Sequence, residues 1–339
     1  MEQNNYQGAL QQPLGSGFNA TSTASEVLNG KNLTGTTVII TGGYAGIGLE
    51  TTRVLAEAGA TVIAPARDPE KARKNLEGIP NVTVEPMDLV DPGSIDTFAA
   101  NFVKSGKPLH LLINNAGIMW VPLRYDRRGH ESQLATNHLG HFQLTARLWP
   151  ALKKAKGARV VTVSSYGHQM APFNFEDPDF RHREYETLQG YGQSKTANNL
   201  FTVELDRRAR AHNVRAYVLH PGSVNGTDLA REAPIALFRQ MGIIDEAGNL
   251  KPEVAAKLKT LPQGAATTVW CATSPLLSDL GGVYCEDADV AELDLGNLAP
   301  RYDDPSTQRG VQPYSLDEAN AKRLWSLSEE MTGITFPVD

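Results

Sequence analysis

The chain has 339 residues, of which 41% are hydrophobic and 21% charged, which is typical of a globular protein and not of a disordered or fibrous one. Its net charge is −6 and its Lys and Arg residues are scattered, so it lacks the basic stripe that a nucleic-acid partner requires. Two cysteines, Cys271 and Cys285, cannot supply a disulfide framework or a four-ligand zinc site. No apolar run reaches the ~20 residues that span a bilayer, so a cytoplasmic protein without a membrane span is expected.

Strand and helix patterns alternate along most of the chain. Residues 1–30 are polar with little apolar periodicity, which predicts a flexible or draped arm. Short β-branched or apolar runs predict strands over residues 37–41, 61–64, 82–85, 109–113, 159–163, 214–219 and 282–285. Helices are predicted from the glycine turn after the first strand to residue 59, and over residues 69–76, 91–103, 131–154, 191–211, 264–272 and 316–330.

This alternation predicts a single α/β domain of the Rossmann type, with a doubly wound parallel sheet, over residues 31–295. Residues 223–261 contain short helical pieces broken by proline and glycine, which suits a mobile cover over the substrate. Residues 296–339 are expected to form a C-terminal extension, irregular until its helix.

A glycine-rich turn follows the first predicted strand. Glycines spaced G-x-x-x-G-x-G let the backbone approach a pyrophosphate closely, and the next helix points free N–H groups at the anion. A tight packing corner is the alternative interpretation, but the place after the first strand favours a cofactor site. The residues assigned to the cofactor here are Gly42, Tyr44, Ala45, Gly46, Ile47 and Gly48.

The residues after the second predicted strand indicate the choice between NAD and NADP. An acidic residue there binds the ribose 2′-hydroxyl of NAD, whereas an arginine accommodates the 2′-phosphate of NADP. The sequence places Arg67 about there and Asp68 next to it, so NADP is favoured and NAD stays open. Asp88 and Leu89 follow the third strand, where they are expected to meet the adenine.

Tyr191 and Lys195 are four residues apart on a predicted helix and therefore share one face. An ammonium beside a phenol favours the phenolate, so such a pair can transfer a proton near neutral pH. Ser165 lies upstream, after the fifth predicted strand. Because a Y-x-x-x-K match also occurs by accident in ordinary helices, its weight depends on the other motifs.

Short motifs occur in a fixed order along the chain. They are Thr41-Gly42-x-x-x-Gly46-Ile47-Gly48, Asn114-Asn115-Ala116-Gly117, Asn137 in Asn-His-Leu-Gly-His-Phe, Ser164-Ser165, Tyr191-x-x-x-Lys195 and Pro221-Gly222. In this order they resemble the short-chain dehydrogenase/reductase family. The resemblance covers about residues 34–290. Within the family, the sequence is similar to the branch that includes retinol dehydrogenases and WW-domain oxidoreductases.

The resemblance implies a role for each matching residue. Ser165 would hydrogen-bond the substrate oxygen, and Tyr191 would exchange a proton with it while a hydride passes to or from the nicotinamide. Lys195 would lower the pKa of Tyr191 and hold the nicotinamide ribose, and Asn137 would position a water in a proton relay. The remaining cofactor contacts would come from Asn114, Asn115, Ala116, Gly117, Pro221, Gly222 and Val224.

Two features depart from the family pattern. The interval between Ser165 and Tyr191 is longer than in compact members, so it must form a loop excursion that returns Tyr191 to Ser165. Thr227 stands one residue later after Pro221-Gly222 than the usual threonine, which puts its contact with the cofactor in doubt.

The sequence therefore predicts an NADP(H)-dependent alcohol dehydrogenase or carbonyl reductase that interconverts a ketone or aldehyde and its alcohol. The alternatives are a catalytically weak NADP(H)-binding sensor or scaffold and an enzyme of the nucleotide-sugar epimerase type. No metal is expected. The resemblance implies a homo-oligomer that forms through the long helices. An apolar or aromatic substrate is expected because the candidates that follow strand ends are Met119, Trp120, Tyr166, His168 and Phe173.

Overall fold

A computed structural model describes residues 4–296, 303–304 and 307–338, and it contains one eight-stranded sheet. The strands are β1 Thr37–Ile40, β2 Thr61–Ala66, β3 Val82–Pro86, β4 Leu111–Asn114, β5 Ala158–Val163, β6 Val214–Leu219, β7 Tyr284–Glu286 and β8 Asp289–Val290. Their order in the sheet is β3-β2-β1-β4-β5-β6-β7-β8, and only β8 runs antiparallel to its neighbour. The predicted doubly wound Rossmann sheet is confirmed.

Helices connect the strands and cover both faces of the sheet. They are α1 Ala24–Leu28, α2 Gly46–Glu57, α3 Pro69–Asn75, α4 Pro92–Lys104, α5 Ser132–Leu134, α6 Gly140–Lys154, α7 Thr187–Ala209, α8 Ile235–Gln240, α9 Pro252–Ala255, α10 Leu261–Thr273 and α11 Glu318–Thr332. Asp68 and Asp91 cap α3 and α4 by accepting hydrogen bonds from backbone N–H groups of the first turn. The predicted irregular tail before α11 lies partly outside the described residues.

One predicted helix is interrupted in the structure, and the strand β8 was not predicted. The helix expected over residues 131–154 contains a π-helical turn over Ala135–Leu139, so its two α-helical parts are out of phase. The last strand is followed by an unpredicted partner, β8, because Asp287 and Ala288 both have positive φ and form a two-residue hairpin turn. The usual Asn-Gly or Asp-Gly signal for such a turn is absent from the sequence.

The C-terminal helix α11 is an integral part of the main hydrophobic core. Its Trp325 stacks on Phe201 of α7 at 6.0 Å between ring centroids and on Phe336 at 4.8 Å. The same indole meets Phe142 of α6 edge-on at 5.4 Å. Since α11 covers α6 and α7 within one chain, a homo-oligomer that uses this face of the long helices would have to displace it.

The N-terminal segment is packed along the β7–β8 edge of the sheet. The amide of Gln11 donates to the carbonyl oxygens of Tyr284 at 2.5 Å and Ala291 at 2.7 Å, and its oxygen accepts from the Tyr284 N–H at 3.1 Å. Asn5 donates to the Gly282 carbonyl at 2.9 Å, and both amides are buried. The start of the arm thus lies along this edge, because these side chains satisfy backbone groups that the edge strands leave open.

We expect Gln11→Ala to lower the free energy of unfolding by about 2 kcal/mol or more, because the Ala291 carbonyl and the Tyr284 N–H would lose their partner. Urea denaturation measures the change. The exposed neighbour Gln12 provides the matched control, and Gln12→Ala should stay within about 0.5 kcal/mol of the wild type. Equal stabilities for the two variants would contradict the contribution of Gln11.

Candidate active site

The glycine turn between β1 and α2 forms a cradle of bare backbone. Gly42 has φ +64°, which favours glycine, and a Cβ added at Gly48 would lie 2.2 Å from the Gly42 carbonyl oxygen. No side chain caps α2, whereas α3 and α4 have aspartate caps. The first N–H groups of α2 are therefore available to an anion such as a pyrophosphate, and the residues present fit a dinucleotide.

The hydroxyl of Thr41, at the end of β1, holds the start of the Asn-Ala-Gly motif. It accepts hydrogen bonds from the backbone N–H groups of Asn115 and Ala116, each at 3.0 Å. The Asn115 amide returns a bond to the Thr41 carbonyl at 2.9 Å. The predicted cofactor residues Asn115 and Ala116 are thus joined directly to the glycine turn, whereas the Asn114 side chain donates inward to Thr145 at 3.3 Å.

His141 links Thr41 to the π-helical turn that carries Asn137. Its Nδ1 lies 3.0 Å from the Asn137 carbonyl oxygen, and its Nε2 lies 2.8 Å from the Thr41 hydroxyl. A carbonyl can only accept, so Nδ1 carries the proton and Nε2 accepts from Thr41. Burial lowers the pKa of His141 to about 4, which keeps this neutral tautomer at physiological pH.

Asn137 projects from the π-helical turn onto the loop after β4. Its amide accepts from the Ile118 N–H at 2.9 Å, donates to the Ile118 carbonyl at 3.0 Å and donates to the Ser194 hydroxyl at 3.0 Å. A Cβ added at Gly117 would lie 3.1 Å from Asn137 Oδ1 and 3.7 Å from Lys195 Nζ. Gly117, Asn137 and Lys195 therefore meet at one place.

The long interval between β5 and α7 forms an excursion that returns to Ser165, as predicted. Residues Tyr166–Met170 form a 3-10 turn. The Ser165 hydroxyl caps this turn by accepting from the Gly167 N–H at 2.9 Å. A Cβ added at Gly167 would lie 2.5 Å from Cε1 of Tyr191. The absence of a side chain at Gly167 thus lets the Tyr191 ring lie directly against the serine turn.

Tyr191 and Lys195 lie on one face of α7 and are both buried. Burial raises the pKa of Tyr191 to about 12, and a hydrogen bond with the Ser165 hydroxyl lowers it in part. Lys195 Nζ donates to the Val163 carbonyl at 2.9 Å and lies 5.7 Å from the centre of the Tyr191 ring.

The pKa of Tyr191 is therefore above its ordinary value, contrary to the expected effect of Lys195. Burial also lowers the pKa of Lys195 to about 7, so the amine carries only part of its charge at neutral pH. The effect of a neighbouring cation on a phenol is correspondingly small here.

The residues predicted to contact the adenosine half follow β2 and β3. Arg67 is exposed directly after β2, while the Asp68 carboxylate accepts from the Lys71 N–H at 3.1 Å as the cap of α3. Asp88 accepts from the Val90 N–H at 3.1 Å. The Leu89 carbonyl lies so close to α6 that a Cβ added at Gly140 would approach it to 2.4 Å.

The segment after β6 reaches back to the glycine turn. Gly222, next to Pro221, has φ +86°, and Val224 forms a bridge with Lys259 in parallel orientation. The methyl group of Thr227 lies 3.7 Å from the position of a Cβ added at Gly46. The later threonine thus still reaches the turn after β1, despite the departure from the family spacing.

The candidates for substrate contact separate into two groups. Trp120 packs edge-on against Phe238 of α8, with 5.5 Å between ring centroids, so it meets the segment predicted as a cover. Tyr166 follows Ser165 directly, and its ring lies 5.9 Å from that of His220. Phe173 instead belongs to the main hydrophobic core with Phe175, and His168 is fully buried.

Residues that organise the site were missed in the sequence. Thr41 was predicted only as part of a motif. The contact of His141 with Asn137 had a signal in their spacing, because residues four apart share one face of a regular helix. His168 was considered only as a substrate contact, and Gln312, which contacts it, has no local signal at all.

Within the described ranges no helix has the length and apolar character of a membrane span, and no three His, Cys, Asp or Glu side chains converge as a metal site.

Comparison with known sequences shows that the chain is similar to oxidoreductases. The family profile described as short chain dehydrogenase matches residues 36–236. A protein from Streptomyces lividans named "Probable oxidoreductase" is 42% identical over 301 residues, which cover 87% of this chain and 96% of that protein. Retinol dehydrogenase 12 from Homo sapiens is 36% identical over 308 residues, which cover 89% of this chain and 88% of that protein.

Solved structures have the same fold. An uncharacterised protein from Mycobacterium paratuberculosis has a TM-score of 0.68 and 34% identity, with 94% of this chain and 99% of that chain covered. The Pseudomonas aeruginosa protein RhlG, solved in a complex with NADP, has a TM-score of 0.57 and 22% identity, with 75% and 94% covered. At that identity the second likeness concerns the fold alone.

Buried neutral histidines should make the protein sensitive to acid. Burial lowers the pKa of His138 and His220 to about 3 and of His141 and His168 to about 4. The unfolded chain binds these protons near pH ~6.5, so the free energy of unfolding should fall between about pH 6.5 and 4, by up to about 1.4 kcal/mol per pH unit for each histidine.

Urea denaturation at pH 7, 6 and 5 measures this slope. His141→Asn should reduce this pH slope by the contribution of one proton, and the same change at the exposed His182 is the matched control. A stability that is flat from pH 7 to 5 would refute the contribution of the buried imidazoles.

Proposed function

The chain belongs to the short-chain dehydrogenase family, and from this membership we propose that it is an NADP(H)-dependent reductase of ketones or aldehydes that also catalyses the reverse oxidation of alcohols. The observation that carries the proposal is the meeting of Ser165, Tyr191 and Lys195 at the carboxyl ends of the strands, beside the glycine turn. A protein that only binds a nucleotide has no need of this set.

Ser165 and Tyr191 act on the substrate oxygen. The Ser165 hydroxyl, already in contact with the phenol, binds that oxygen, and Tyr191 donates its proton to it in the reduction. The raised pKa of Tyr191 suits a proton donor, because the phenol stays protonated until the oxygen takes up negative charge. The bound nicotinamide supplies the hydride.

Lys195 would return a proton to Tyr191 and take one up from solvent through the water that Asn137 would position. With a pKa of about 7, Lys195 can both give and take a proton near neutral pH. Its Nζ and the Asn137 amide both lie close to Gly117, where the two side chains flank the cofactor groove. Asn137 also fixes Ile118 through two backbone bonds, which holds the groove wall in place.

NADP is supported by the charge at the end of β2. Asp68 is engaged as a helix cap, which leaves the exposed Arg67 as the residue that can pair with a 2′-phosphate. The glycine turn and the uncapped start of α2 would hold the pyrophosphate, and Asn115, Ala116 and Gly117 would line the nicotinamide side.

An apolar or aromatic substrate is supported by Trp120, which packs against Phe238, and by Tyr166, which follows Ser165 directly. Relatives named retinol dehydrogenase, at 36% identity, are consistent with an apolar carbonyl compound. The covering role of residues 223–261, the cytoplasmic location and the homo-oligomer stay predictions.

Loss of absorbance at 340 nm with NADPH and a panel of aryl ketones, aliphatic aldehydes and retinal tests the activity, and no oxidation of NADPH by any of them would overturn it.

Tyr191→Phe should lower kcat by at least ~10²-fold, because the proton donor is lost while the ring that packs on Gly167 remains. The Kd of NADPH, measured by fluorescence, should change little. Tyr125→Phe at an exposed tyrosine is the control and should keep the wild-type rate. Near-normal turnover of Tyr191→Phe would refute the mechanism.

Arg67→Ala should raise the Kd of NADPH by about 10-fold or more and leave that of NADH nearly unchanged, since only NADPH carries the 2′-phosphate. Titration of both cofactors into the same variant measures the ratio. Arg147→Ala, which removes a guanidinium paired with Asp96, is the control. Equal losses for the two cofactors would show that Arg67 does not select NADP.

A further inference from the structure

His168 lies between the catalytic serine and the C-terminal part of the chain. Its Nδ1 is 2.8 Å from the Ser165 carbonyl oxygen, and its Nε2 is 3.1 Å from the backbone nitrogen of Gln312. Its own carbonyl accepts from the Tyr314 hydroxyl at 2.7 Å and from Thr196 of α7 at 3.2 Å. Both the side chain and the backbone of His168 are therefore fixed by residues distant in sequence.

The partners of the imidazole determine which nitrogen carries the proton. The Ser165 carbonyl can only accept, and the Gln312 N–H can only donate, so Nδ1 is protonated and Nε2 is the acceptor. The side chain is fully buried, and burial lowers its pKa to about 4, so the ring stays neutral. The imidazole of His168 thus links Gln312 to Ser165, because it accepts from the Gln312 N–H and donates to the Ser165 carbonyl.

Residues 308–314, which we call the C-terminal strap, touch both sides of the groove. At one end the Gln308 side chain accepts from the Ser223 hydroxyl at 2.7 Å, directly after Pro221-Gly222. In the middle the Gly310 N–H donates to the Glu286 carboxylate at 3.0 Å. At the other end Gln312 and Tyr314 hold His168, so the strap is anchored at several points.

We propose that His168 is a positioning residue through which the C-terminal strap sets the orientation of Ser165. The Ser165 carbonyl accepts from both the N–H and the Nδ1–H of His168, while its hydroxyl accepts from the Gly167 N–H. A change at the strap therefore reaches the peptide that carries the serine hydroxyl. This inference rests on the proposed function of Ser165 as the group that binds the substrate oxygen.

Loss of this contact should reduce kcat more than it weakens cofactor binding. The serine hydroxyl must lie within hydrogen-bonding distance of the substrate oxygen, and small misplacements of catalytic groups lower rates strongly. The residues assigned to the pyrophosphate and the 2′-phosphate lie after β1 and β2, whereas the strap bonds to Ser223, Glu286 and His168.

A single backbone N–H can be removed to test the proposal. Gln312 has φ −71°, which proline can adopt, so Gln312→Pro removes the donor to His168 Nε2, and its Cδ pushes the imidazole out of that contact. The substitution also removes the Gln312 side chain, which donates to Asp294 at 3.0 Å. Gln312→Ala removes that bond alone and is the matched control.

We expect Gln312→Pro to have a kcat about 10-fold below that of Gln312→Ala, with the same Kd for NADPH. In a His168→Leu background the two substitutions should have equal kcat, because their difference acts through the imidazole. His168→Asn, whose amide can still donate to the Ser165 carbonyl, should retain more activity than His168→Leu. Equal kcat values of Gln312→Pro and Gln312→Ala in the wild-type background would overturn the proposal.

A readout without turnover separates this inference from the proposed function. Nitrogen-15 NMR of the imidazoles should show His168 protonated at Nδ1, and the Gly167 amide should shift more in Gln312→Pro than in Gln312→Ala. Protonation at Nε2, or equal Gly167 shifts, would overturn the coupling even for an active enzyme. If the wild type reduces no carbonyl compound and the NMR differences are present, the proposed function fails and the coupling from the strap to Ser165 stands.

Discussion

The hydroxyl of Thr41 uses its whole hydrogen-bonding capacity to join three segments of the site. It accepts from two backbone N–H groups after β4 and donates to His141, which in turn donates to the Asn137 carbonyl. These groups are buried, so a lost partner would leave an unsatisfied polar atom away from water. The glycine turn, the Asn-Ala-Gly loop and the helix that carries Asn137 are consequently held in one arrangement.

The sequence predicted the parts of the fold that depend on local pattern. Parallel strands end at the same edge of a sheet, so the polar residues after β1, β4 and β5 could be assigned to one site before their distances were known. The starts of α3 and α4 were predictable for the same reason, because caps such as Asp68 and Asp91 act within a few residues of their helices.

Features that depend on tertiary packing could not be predicted in this way. The π-helical turn at Asn137 interrupts a run whose sequence is ordinary for an α-helix. The contact of His168 with Gln312 joins residues far apart in the chain. The arm is held by Asn5 and Gln11, whose polar side chains give no sign of burial in the sequence. The pKa of Tyr191 was misjudged because its burial is a property of the folded core.

The bonds of Gln11 have a consequence for the order of folding. They join the first part of the chain to β7 and to Ala291, across sequence separations of 273 and 280 residues. Because a ribosome releases the N-terminal segment long before β7, that segment has to wait for its partner strands while the central sheet assembles. Contacts of such sequence separation form slowly, so the β7–β8 edge should be the last part of the sheet to become protected from solvent exchange.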